Sequence, residues 1–143
     1  MSLALVVASL FVAQVDAGVS SGSTLRLEVQ GVRNGRGHVM VALYRPTDGF
    51  TETKSTAFRT NKVAAANGTV AIEFNDLPAG SYALAIFHDE NDNERIDTGF
   101  FGVPVEGFCF SNDARGLFGP PSFKSAALTH SDQGGKHEVH LSY

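Results

Sequence analysis

The chain has 143 residues, 43% of them hydrophobic and 18% charged, which suffices for one domain with a real hydrophobic core and no more. Eleven Lys and Arg face fifteen Asp and Glu, a formal charge of −4. With no Lys/Arg cluster to neutralise phosphates, no nucleic-acid partner is expected. The single Cys109 excludes an intrachain disulfide, and its place between Phe108 and Phe110 predicts a buried, inert thiol.

The first elements point outward from the cytoplasm. Residues 3–15 are apolar and end in Val15-Asp16-Ala17, a small-x-small pattern that predicts a signal peptide over 1–17, cleaved after Ala17, although the usual positive n-region is missing. Residues 18–23 read as a short polar linker and 24–143 as the mature domain, periplasmic or secreted. No other run approaches the ~20 apolar residues that span a bilayer, so no membrane span is expected after cleavage.

Nearly every later segment has period two. Leu25, Leu27 and Val29 alternate with Arg26, Glu28 and Gln30, a half-buried strand. Asn34-Gly35 predicts a hairpin into a strand over His38–Tyr44, and Asn67-Gly68 a second hairpin between 62–65 and 69–74. Residues 50–60 are polar and mixed, suited to a long loop or one helical turn. After the turn Asp76-Leu77-Pro78-Ala79-Gly80, residues 82–87 are apolar on both faces, which predicts a central strand. Beyond 97 the chain is rich in Gly, Pro and Phe with little periodicity. Residues 123–128 and 138–143 are expected to close the domain, with Val139, Leu141 and Tyr143 facing inward. About seven strands and no long amphipathic helix predict an all-β, single-domain, Ig-like or transthyretin-like antiparallel sandwich.

The chemistry concentrates at 88–97. Asp89, Glu90, Asp92, Glu94 and Asp97 fall there with Arg95 alone among bases, so the net charge of −4 resides in this run. Asp89, Asn91, Asn93 and Asp97 occupy relative positions 1, 3, 5 and 9, the oxygen-donor spacing of a loop that wraps calcium, with the Arg95 backbone carbonyl at position 7. Glu94 stands where an EF-hand has Gly, and Phe100 where it has Glu, and the flanks read as strand and coil rather than helices. Glu106 is placed to fold back and complete the shell.

A second constellation runs from Glu106 to Phe123. As a ligand-binding surface it would offer Phe108, Phe118 and Phe123 for stacking, with Asn112 and Arg115 as hydrogen-bonding groups. As a structural lid it would pack Phe over the open end of the sandwich. The lid is the favoured reading. His88 is expected to pack rather than ligate, and His137 and His140 to face opposite sides of a strand. No nucleophile, phosphate-loop or zinc pattern occurs, and no enzymatic activity is expected.

Four blocks carry a resemblance. They are Phe74-Asn75-Asp76-Leu77-Pro78-Ala79-Gly80-Ser81-Tyr82, the run from His88 to Asp97, Gly102-Val103-Pro104-Val105-Glu106-Gly107-Phe108, and Phe118-Gly119-Pro120-Pro121-Ser122-Phe123. In order and spacing they resemble the bacterial domain-of-unknown-function family 2141, from about Leu25 to Tyr143. That implies an exported bacterial protein with a small β-sandwich, and implies no activity. The Leu-Pro-Ala-Gly-x-Tyr turn is also similar to Cna-B-type and transthyretin-like sandwich repeats, whose calcium-binding relatives imply Asp89, Asn91, Asn93 and Asp97 as ligands, with Glu106 a weaker one. The resulting expectation is a non-enzymatic envelope protein with a structural calcium loop, acting in binding or assembly. A glycan- or small-ligand-binding module and a self-assembling filament or matrix subunit are the alternatives, with a glycan or an envelope protein as partner.

Overall fold

A computed structural model describes residues 22–51, 56–96, 105–117 and 119–143. The expected signal peptide, most of the linker, Asp97 and Phe118 lie outside them. The described chain forms β1 (Ser23–Val32), β2 (His38–Tyr44), β3 (Arg59–Ala64), β4 (Gly68–Leu77), β5 (Gly80–Asp89), β6 (Phe108–Phe110), a helical turn α1 (Phe123–Ala126), β7 (Leu128–His130) and β8 (Gly135–His140). One sheet has the order β4-β1-β8. The other runs β3-β2-β5-β6, with β7 also on β5. The architecture is an all-β sandwich.

Alternation in the sequence sets the layers. Leu25, Leu27 and Val29 from β1, Val70 and Ile72 from β4 and Val139 from β8 are buried against Val39, Val41 and Leu43 from β2 and Leu84 and Ile86 from β5. Charged residues occupy the opposite faces, as in Arg26, which bonds Glu73 across the β1–β4 pair. β5 is central as expected. Its even positions Tyr82, Leu84 and Ile86 enter the main core, while Ala83 and Ala85 face outward under a second cluster of Phe50, Phe110, Phe123 and Ala126. Small residues there make room for the Phe rings, which meet edge to face, Phe50 with Phe110 at 5.8 Å and with Phe123 at 6.1 Å.

Neither expected hairpin forms. Asn34-Gly35 carries the chain from β1 in one sheet to β2 in the other, and Asn67-Gly68 carries it from β3 back to β4. Each dipeptide includes a bend of the connecting chain. But each flanking strand finds its partners elsewhere, because pairing within either hairpin would place both strands in one layer and leave their apolar faces without the opposite sheet. Along that edge the layers are stitched by side chains instead. Asn61 donates to the Glu73 carbonyl at 2.9 Å, and Arg59 to those of Asn75 and Asp76. These contacts also blunt β3 and β4 as sticky edges.

The sheet is not wholly antiparallel. β8 runs parallel to β1, from Leu25 opposite Gly135 to Gln30 opposite His140, because it reaches that sheet by crossing over from β7 in the other. Residues 123–128 do not form a strand throughout. Ser122 accepts a hydrogen bond from the Ser125 N–H and caps α1, so extended structure begins only at Leu128. The short β6 lies inside the segment that shows no periodicity. β6 and β7 share one edge of β5, and Ser111 fills the gap between them. Its hydroxyl accepts from the Leu84 N–H at 2.9 Å and donates to the Ala126 carbonyl. No helix among the described residues is long and apolar enough to cross a membrane.

Candidate functional site

β5 ends at Asp89 and delivers the chain into the acidic loop. Asp89 is fully buried. Its Oδ1 accepts the Asn93 N–H at 3.2 Å and its Oδ2 the Glu94 N–H at 2.8 Å. Asn91 Oδ1 accepts the Asn93 N–H and Asn93 Oδ1 the Arg95 N–H, so the oxygens at positions 1, 3 and 5 organise the loop's own backbone. Asp92 and Glu94 take φ of 57° and 60°. Glu94 therefore adopts the left-handed conformation for which Gly is usual at that position, despite its side chain.

The even-numbered acids turn the other way and are paired by the chain itself. Glu90 receives Arg33 Nε at 3.1 Å and Asn34 Nδ2 at 2.6 Å, Asp92 meets His38 Nδ1, and Glu94 meets Lys62 Nζ at 3.2 Å. The Arg33 guanidinium above all, aided by Asn34, holds the Glu90 carboxyl far below its usual range, at about 2. Glu90 and Glu94 thus have internal counter-ions in Arg33 and Lys62, and Asp92 has a histidine partner. Asp89 has none. Its two partners are backbone N–H groups, and no Lys, Arg or His side chain contacts it among the described residues.

Residues 33–38, joining the two sheets, grip the loop at several points. An added Cβ at Gly37 would lie 1.9 Å from the Asp89 carbonyl oxygen, and Gly37 has φ 68°, so only glycine fits there. The His88 ring is fully buried. Its Nε2 is 2.7 Å from the Arg36 carbonyl, which can only accept, so Nε2 carries the proton. Nδ1 then accepts from the Tyr143 hydroxyl at 2.8 Å, and that hydroxyl accepts from the Arg33 N–H at 3.1 Å. Arg33 also lies 4.3 Å above the Tyr143 ring. His88 is thus a packed residue, as its sequence position suggested. From the far side the buried Glu106 accepts the Glu90 N–H at 2.8 Å, tying 106–107 to the loop.

Of the expected metal ligands, Asp89, Asn91 and Asn93 come together in one loop and Glu106 closes on its base. Arg95 donates its N–H to Asn93, and Asp97 lies outside the described residues. Among the described residues no three His, Cys, Asp or Glu side chains gather into a metal-binding group. A cation there would rely on amide oxygens, backbone carbonyls and water beside Asp89. Arg33, Asn34, Gly37, His38 and Lys62 were not legible as part of this site, because they lie tens of residues away and carry no local signal.

The expected ligand-binding residues divide. Phe108 and Arg115 line a cavity of about 530 Å³ with Phe110, Pro120, Pro121 and Ser142. Asn112 faces elsewhere and donates to the Ala127 carbonyl at 2.7 Å. Phe123 belongs to the second cluster, as a lid residue would. Phe118 is outside the described residues. The Asp113 carboxylate accepts the His140 backbone N–H on Oδ1 and meets His140 Nδ1 with Oδ2, both at 2.8 Å. His137 and His140 face opposite sides of β8. Cys109 is buried at the cavity's inner wall, and burial pushes its thiol up to about 12, which leaves it protonated and unreactive.

No curated protein and no solved structure matches the chain. Residues 27–138, the greater part of the sandwich with the whole loop and the cavity segment, match the sequence model of a family described as uncharacterised proteins conserved in bacteria, and the chain belongs to that family, DUF2141.

Proposed function

We propose that this is an exported, non-enzymatic β-sandwich protein that acts in binding or assembly at the cell envelope. In this reading the loop 89–97 holds a calcium ion that stabilises the fold. One observation carries the calcium reading. Asp89 is a buried carboxylate whose partners among the described residues are two amide N–H groups, at the first position of a loop in which Glu94 takes the conformation of a calcium loop's glycine. A buried anion without a cation is costly, and each Asp89 oxygen keeps a lone pair beyond the N–H it accepts. Asn91 and Asn93 bring amide oxygens beside it, and Asp97 follows at the spacing expected of a ligand.

The test is calorimetric and thermal titration of the mature chain with calcium, against magnesium and against a chelator. At a calcium concentration a hundred times the Kd, stability rises by about 2.7 kcal/mol. Asp89→Asn is destabilising by itself, so the deciding quantity is the calcium-dependent increment, which the variant loses. Absence of both heat and a melting shift at millimolar calcium would sink the reading. Export is tested separately by mass spectrometry of the protein recovered from the envelope fraction, which should begin at Gly18.

A further inference from the structure

The cavity beside β6 has a chemical character that neither the fold nor the loop accounts for. Its volume, about 530 Å³, lies in the range that holds a small organic molecule, about 300–1,000 Å³. Its walls are Phe108, Phe110, Pro120, Pro121 and Ile96. Of these, Ile96 is one of the large hydrophobic side chains that stay exposed among the described residues. A concave site with apolar walls and a few polar groups is the usual form of a small-molecule pocket.

The polar groups narrow the ligand. A sugar needs several donors and acceptors aimed at its hydroxyls, and here those are already engaged. The amide of Asn112 is turned onto Ala127, and each oxygen of Asp113 already has one hydrogen bond to His140. Phe108 and Phe110 meet each other edge to face at 6.2 Å rather than presenting a flat open pair for stacking. What remains is Arg115, exposed, with no carboxylate partner among the described residues. Its Nη2 donates to Ser142 Oγ at 3.1 Å, which places a guanidinium beside a hydroxyl that can itself donate.

We infer that this cavity binds a small amphipathic carboxylate, with its aliphatic part between Phe108 and the Pro120-Pro121 wall and its carboxylate on Arg115 and Ser142. The site does not depend on the calcium reading, since Asp89 and its loop oxygens are not part of it.

Octanoate, its neutral analogue octanol and the disaccharide cellobiose are the probes, titrated by calorimetry into the full mature chain. Octanoate should bind saturably, and about tenfold more tightly than octanol, the size of one charge-assisted hydrogen bond. Arg115→Gln should abolish that preference while leaving octanol binding and the melting temperature unchanged, because Arg115 is exposed. Arg115→Lys should retain most of it. The inference is overturned if octanoate does not bind at millimolar concentration, if octanoate and octanol bind equally, or if Arg115→Gln leaves the preference intact. Cellobiose binding in place of octanoate would overturn it in favour of a sugar site.

Discussion

Replacing Glu90 by Gln removes the charge at nearly constant volume and turns one of its two acceptor oxygens into an amide NH2, so it measures how far the protein neutralises its own acidic loop. The Glu90 side chain is 8% exposed, and Arg33 chiefly, then Asn34, holds its carboxyl at about 2 against an ordinary 4.5. A depressed folded-state pKa contributes stability that is complete above the unfolded value and is lost as the pH falls toward the folded one. At about 1.4 kcal/mol per pH unit between the two, the ceiling is about 3 kcal/mol. Arg33 is 47% exposed, and screening by solvent there brings the expectation to about 2 kcal/mol. Urea unfolding from pH 7 to pH 2 should therefore find Glu90→Gln less stable by about 2 kcal/mol at pH 7. The gap should close between pH 4.5 and 2, where Glu90 becomes as neutral as its replacement. A gap that persists unchanged to pH 2 would mean the loss is one of packing, and no gap at pH 7 would mean that the ion pair stabilises nothing.

Three further outcomes follow from the same contacts. Gly37→Ala should destabilise by about 2–4 kcal/mol in urea unfolding, since it combines a left-handed backbone with a Cβ driven into the Asp89 carbonyl. Tyr143→Phe keeps the ring under Arg33 but leaves buried His88 Nδ1 without its donor, and should cost about 1–3 kcal/mol by thermal melting. Cys109 should resist iodoacetamide at pH 8 in the native protein and react at once in urea, and rapid native labelling would contradict its burial.

Much of this was legible locally. Period-two alternation identifies β1, β2, β4 and β8 and their core faces, because a strand buried on one side has no other way to distribute its side chains. Continuous apolarity identifies β5 as central. The spacing of Asp89, Asn91 and Asn93 identifies an Asx-rich loop, and the structure turns their side-chain oxygens onto that loop's own backbone. Glu94 was misleading by its identity, since the backbone takes the glycine conformation regardless, held by the Glu94 N–H on Asp89.

What the sequence by itself determined is therefore the run of strands, the places where the chain turns, and the position of its charge. Only the tertiary structure decided which strands pair, so that Asn34-Gly35 and Asn67-Gly68 link two sheets instead of closing hairpins and β8 lies parallel to β1. It also decided that Glu90, Asp92 and Glu94 find Arg33, His38 and Lys62, while the buried Asp89 meets backbone amides among the described residues. The physical reason is common to all of these. Alternation and turn chemistry act within a few residues and are written into neighbours, whereas layer assignment and charge pairing join residues far apart in sequence and are fixed only when two apolar faces close on one core.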